Sequence, residues 1–199
     1  MTIIYTLDMI GTAAFAASGA WVGVRKHMDL FGVLVLGLIT AVGGGTLRDL
    51  LLGDIPPSSL LDETHLYLSI FVSLIVFFSR NSFKRVEKPL LYFDAIGLGT
   101  FVVIGTTKAL NFEMGWLIAV LMGVMTGTAG GVMRDVLANQ IPLVLRHEIY
   151  ASACIAGGFL LVFLEYTGMA RPFAALLAAG LVITVRLLAI RYDWALPRS

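Results

Sequence analysis

The chain has 199 residues, 58 % of them hydrophobic and 14 % charged, with a formal net charge of +1 and a mean hydropathy of +0.90. A water-soluble domain of this size cannot hide so much apolar surface, so that class is excluded and lipid is the expected solvent. A charge this close to zero gives no ground for a nucleic-acid partner, and none is expected.

About 20 apolar residues in a helix cross a hydrocarbon core roughly 30 Å thick. Runs of this kind lie at 3–24, 30–52, 65–79, 90–107, 115–137, 149–164 and 172–190. They stay apolar, without the alternation of a barrel strand, so the expected fold is an all-α integral membrane protein of seven transmembrane helices in one domain, 1–199.

The first run has no basic leader and carries Asp8, which marks it as a retained helix and not a cleaved signal. The second ends in GGGTLRD at 43–49, followed by DIPP at 54–57. The third is short and opens on His65, Tyr67 and Ser69; the basic stretch RNSFKRVEK at 80–88 follows it. The fourth carries Asp94, and the fifth ends in AGGVMRD at 129–135, followed by QIPL at 140–143. The sixth opens near Tyr150 and Ser152 and holds the lone Cys154, a small apolar filler there. The seventh, 172–190, matches nothing earlier in the chain.

Displacing the sequence by 86 positions places Asp8 on Asp94, Gly11 on Gly97, Phe15 on Phe101, Gly19 on Gly105, Gly37 on Gly123 and Thr40 on Thr126. It then places Gly44, Gly45, Arg48, Asp49, Ile55 and Pro56 on Gly130, Gly131, Arg134, Asp135, Ile141 and Pro142 without a gap. The chain therefore divides into repeat one, about 1–83, repeat two, about 90–167, and an added helix, about 172–190. Three spans per repeat make the second copy enter from the opposite face, an inverted repeat. With the N-terminus outside, eleven of the fourteen basic residues fall on the cytoplasmic side and only Arg48, Lys108 and Arg171 outside, so N-out and C-in is expected.

Paired glycines inside a membrane helix weaken it, and a break there would expose carbonyl oxygens suited to a dehydrated cation. This reading makes Gly43, Gly44, Gly45, Arg48 and Asp49, with Gly130, Gly131, Arg134 and Asp135, the candidate ion pathway and gate, with transient potassium near Gly44 and Gly130. Close helix packing is the other use of such glycines. An arginine inside the bilayer costs at least about 2.5 to 3.5 kcal/mol and needs a partner. Asp8 is level with Arg48, and Asp94 with Arg134, so these are the expected partners; Asp49 and Asp135 suit their neighbours less, because adjacent helical side chains diverge by about 100°. Arg48→Ala and Arg134→Ala are then expected to alter conduction more than folding. Tyr67, Ser69, Tyr150 and Ser152 are candidate pore hydroxyls, with interfacial anchoring as the alternative for the tyrosines. His27, His65 and His147 lack metal-ligand spacing, so no dedicated metal or cofactor is expected. No Walker loop, triad spacing or zinc signature occurs, and little chain lies outside the membrane, so no enzyme is expected.

The doubled run ending in Arg-Asp, each copy followed by Ile-Pro, in a seven-span chain of this length resembles the prokaryotic trimeric intracellular cation (TRIC) channels, a group also described as carrying a glycine-transporter domain. The resemblance implies a homotrimer with a potassium-conducting pore in each protomer, running between the two repeats, with membrane lipids around it. Ala129 replaces the glycine that Gly43 supplies in the first copy, a departure from strict symmetry. GGGTLRD stands where animal members carry a phosphoinositide-binding Lys-Glu-Val motif, so that regulation is not implied. A secondary transporter of glycine or another small zwitterion is the alternative use of the same architecture.

Overall fold

The computed structural model describes residues 2–79, 88–146, 148–192 and 194. These form α1 (Thr2–Arg25), α2 (Leu30–Leu52), α3 (Ser58–Leu61), α4 (Thr64–Phe78), α5 (Pro89–Asn111), α6 (Trp116–Leu137), a 3-10 turn (Leu143–Leu145), α7 (Glu148–Tyr166) and α8 (Arg171–Arg191), with no strand among the described residues. Six of the helices, α1, α2 and α5 to α8, are long and apolar enough to cross a membrane. The third expected span is α4, apolar but only 15 residues long. At 1.5 Å per residue it falls short of a hydrocarbon core about 30 Å thick. The short α3 occupies the chain just after DIPP, a segment too brief for any hydrophobic period to announce a helix. The basic stretch at 80–87, His147 and Arg198 lie outside the described residues.

Local signals fix the helix ends. The Asp29 carboxylate accepts from the Gly32 backbone N–H at 2.8 Å and caps α2 at its start. Pro89 and Pro172 sit in the first turns of α5 and α8, where a missing N–H costs nothing. Gly53 ends α2 with φ +74°, and Asn139, 86 positions later, follows α6 with φ +51°. Both turns close the same way: the Asp54 N–H donates to the Asp49 carbonyl at 2.9 Å, and the Gln140 N–H to that of Asp135 at 2.9 Å.

α1 and α5 are the most enclosed helices. They meet through the stacked rings of Phe15 and Phe101, centroids 5.3 Å apart. α2 packs on α1, α6 on α5, and α2 crosses α6; α4 lies against α1 and α2, while α7 and α8 lie against α5. The small-residue positions explain these contacts. A Cβ on Gly19 would strike Thr40, and one on Gly105 would strike Thr126 at 2.5 Å, so α1–α2 and α5–α6 approach backbone to backbone.

The expectation that glycines interrupt α2 and α6 is not what the structure has. Both helices run through their glycines unbroken. A Cβ on Gly44 would collide with the Thr126 carbonyl oxygen, and one on Gly130 with the Thr40 carbonyl oxygen. The glycines therefore bring two intact helices into backbone contact. The crossing is too tight for a methyl group at either glycine.

Candidate functional site

At the far end of α2, Arg48 and Asp49 are both buried. The Arg48 Nε donates to Asp49 Oδ1 at 2.7 Å, with Nη2 also 2.7 Å from that oxygen. The same Asp49 Oδ1 accepts from the Lys108 ammonium at 2.7 Å, and Asp49 Oδ2 accepts from the Ser58 N–H at 2.8 Å. Lys108 Nζ also reaches Ser58 Oγ at 2.8 Å and Asp54 Oδ2 at 2.5 Å. Beside this group, His65 Nε2 lies 3.2 Å from Asp8 Oδ2. Asp8, Thr12, Gly45, Arg48, Asp49, His65 and Phe101 line one cleft.

The second cluster is sealed. The Arg134 side chain has no exposed surface. Its Nε donates to Asp135 Oδ1 at 2.7 Å, while Nη1 donates to Asp94 Oδ1 at 2.7 Å and to the Ser18 hydroxyl. Gln140 Nε2 and the Leu143 N–H complete Asp135, each at 2.8 Å. Over Gly131, a Cβ would stand 3.4 Å from the Tyr150 hydroxyl and 3.5 Å from both Arg134 Nη2 and Asp94 Oδ1. Asp54 and Gln140 lie 86 positions apart and differ in charge, and this difference helps to separate the two clusters chemically. An amide satisfies Asp135 directly, whereas a carboxylate at Asp54 requires a cation, and Lys108 supplies it.

Several expected partners differ. Asp94 meets Arg134, but Asp8 pairs with His65 while sharing the cleft with Arg48. Both arginines bond the aspartate next to them, against the argument from helical divergence, because the long flexible arginine stem carries its guanidinium back over the turn to the neighbouring carboxylate. Of the proposed hydroxyls, Ser69 bonds back to the His65 carbonyl at 2.6 Å, Tyr67 is exposed and bonds Glu63 at 2.8 Å, and Ser152 is exposed. Tyr150 reaches the Arg134 cluster. Gly43 faces the Met133 sulfur, and Gly45 lies beside Arg48.

Two residues of these clusters escape a reading by motif. Lys108 enters the sequence argument only as a topology marker, although a lysine closing an apolar span with no basic counterpart at Val22 is a visible irregularity. Arg186, inside α8, is a third buried arginine, its guanidinium carbon 4.7 Å from the Tyr150 ring centroid. Among the described residues no group of three or more His, Cys, Asp or Glu side chains is placed to hold a metal ion.

Long apolar helices packed around two buried arginine clusters define a polytopic helical membrane protein. The chain belongs to the family described as glycine transporter, which matches it twice, over residues 5–81 and 91–166. The UPF0126 inner membrane protein YadS of Escherichia coli (strain K12) is 46 % identical over 198 residues, 98 % of this chain and 95 % of that protein. The crystal structure of a prokaryotic TRIC channel in 0.5 M KCl superposes with a TM-score of 0.92 at 36 % identity, covering 98 % of this chain and 99 % of the other. The TRIC trimeric intracellular cation channel orthologue from Rhodobacter sphaeroides superposes with a TM-score of 0.90 at 35 % identity, covering 98 % and 100 %. The fold is that of the TRIC channels.

Proposed function

We propose that this protein is a cation channel of the inner membrane, conducting potassium through a pore in each protomer of a homotrimer. The observation that carries the reading is the cleft at the Arg48 end. Asp8 and Asp49 line it together with Arg48, as does Gly45, the neighbour of the crossing residue Gly44. Carboxylates at a partly wet mouth draw cations in and exclude anions. The near full-length likeness to TRIC channels supports the same reading. The pathway then runs from this cleft past Gly43, Gly44 and Gly45 to Gly130, Gly131 and the Arg134–Asp135 pair, which is its closed end in this conformation. Lys108 stands at the mouth as a tethered cation, and a permeant ion reaches Asp49 by displacing it.

Seven spans in two inverted three-helix repeats with α8 added, N-terminus outside, is the architecture this reading adopts, with α4 tilting little and meeting a locally thinned bilayer. Its support is the reciprocity of Gly44–Thr126 with Gly130–Thr40, the Phe15–Phe101 stack, and two family matches that begin at the repeat offset. Lipid contacts the exposed apolar faces outside the trimer, and no cofactor takes part. A glycine transporter is the second reading, favoured by the family description and by a paired Arg134–Asp94 that could hold a carboxylate and an ammonium.

Potassium-gradient flux into proteoliposomes tests the proposal. Lys108→Met is expected to raise the flux several-fold and Asp49→Asn to lower it. Flux that no substitution in the cleft changes would contradict a path through it.

A further inference from the structure

α8 has no counterpart in the repeats, yet it carries an arginine into the protein interior. Arg186 is 2 % exposed and lies five residues before the end of its helix, on the same side of the molecule as Arg134. A lone buried guanidinium is costly in any apolar setting, so its surroundings have to account for it. Its guanidinium carbon lies over the Tyr150 ring, 4.7 Å from the centroid, a cation–π contact that strengthens when water is excluded. Tyr150 is itself buried, and its hydroxyl converges with Arg134 Nη2 and Asp94 Oδ1 over the bare Cα of Gly131. One turn further along α7, the buried Cys154 Sγ–H donates to the Tyr150 carbonyl at 3.1 Å and fixes this turn of the helix. Five helices thus contribute to one buried group: Ser18 from α1, Asp94 from α5, Arg134 and Asp135 from α6, Tyr150 from α7 and Arg186 from α8.

We infer that Arg186 is a positioning residue of the Arg134 cluster, holding Tyr150 against the Asp94–Arg134 pair through its ring and bringing the buried group to zero net charge. With Arg134 alone, the two carboxylates Asp94 and Asp135 leave one negative charge uncompensated in a medium that screens poorly. With Arg186 the charges balance. Tyr150 acts as a spacer that keeps the second guanidinium off the carboxylates, so Asp94 remains available to Arg134. The added helix therefore locks the sealed end of the pathway, a role that neither repeat can supply from its own residues. The conductance consequence rests on the channel reading; the charge balance does not.

The experiment compares thermal unfolding of the full-length protein in detergent for Asp94→Asn, Arg186→Gln and the double variant, with Arg186→Lys as the conservative change. Asp94→Asn leaves the cluster one charge positive, and removing Arg186 as well restores neutrality. The double variant is expected to unfold at a higher temperature than Asp94→Asn alone, and Arg186→Lys close to the unsubstituted protein. A double variant that loses stability by the sum of its single losses overturns the inference, as does an Arg186→Lys protein as unstable as Arg186→Gln. Planar-bilayer recording of Tyr150→Leu adds the functional arm: raised open probability is expected, and unchanged gating overturns the positioning role. If the unsubstituted protein carries no current but the unfolding pattern holds, the channel reading fails and the charge balance stands.

Discussion

Arg48 and Arg134 occupy matching places in the sequence and different places in chemistry. Arg134 is enclosed with Asp94, Asp135 and Ser18, so removing it strands two carboxylates away from water. Breaking a buried pair in this way costs about 3–5 kcal/mol. Arg134→Ala is therefore expected to lower stability by an amount of that order, read by detergent unfolding, which revises the expectation that both arginines matter more to conduction than to folding. Arg48→Ala is expected to cost less, because Asp49 keeps Lys108 and the Ser58 N–H as partners. Equal losses in the two variants would show that the clusters do not differ as described. The arginines, Asp49, Asp135 and Asp94 are legible from residue type and position alone. His65 and Lys108 are not, since their partners lie 57 and 59 positions away and depend on how α3 and the turn after α2 fold back.

At the scale of helices, the hydrophobic runs reveal each long element within a few residues, because length and apolarity decide what lipid accepts. The use of the glycines is not legible in the same way: adjacent glycines are compatible with a broken helix or a close crossing, and only the approach of Thr126 and Thr40 distinguishes them. Gly44→Ala and Gly130→Ala would each force α2 and α6 apart, and overpacking of this kind costs about 1–3 kcal/mol. Gly180 in α8 serves as the control, since a methyl group there would meet nothing within 4 Å. Gly180→Ala is expected to leave stability unchanged or raise it by up to about 1 kcal/mol, the helix-propensity gain. Unfolding midpoints of the three variants check this, and a tolerated Gly44→Ala would show that the crossing is loose. The segment of α8 matches nothing earlier in the sequence, and its buried Arg186 passes there for a cytoplasmic marker, because a charge near a helix end looks the same whether it faces inward or snorkels.

For the whole molecule, the two ends of the proposed pathway differ: one borders a cleft lined by Asp8, Arg48 and Asp49, and the other is closed around Arg134. On the proposed pathway, conduction would require the Arg134 cluster to open while the α2–α6 crossing loosens. A transporter would instead alternate between two closed forms and saturate with its substrate. Single-channel recording of the purified protein in planar bilayers under a potassium gradient separates these most directly. The account predicts discrete potassium-carrying steps reversing near the potassium equilibrium potential, larger or longer-lived in Lys108→Met; a silent bilayer together with saturable glycine uptake by the same protein in liposomes would contradict it.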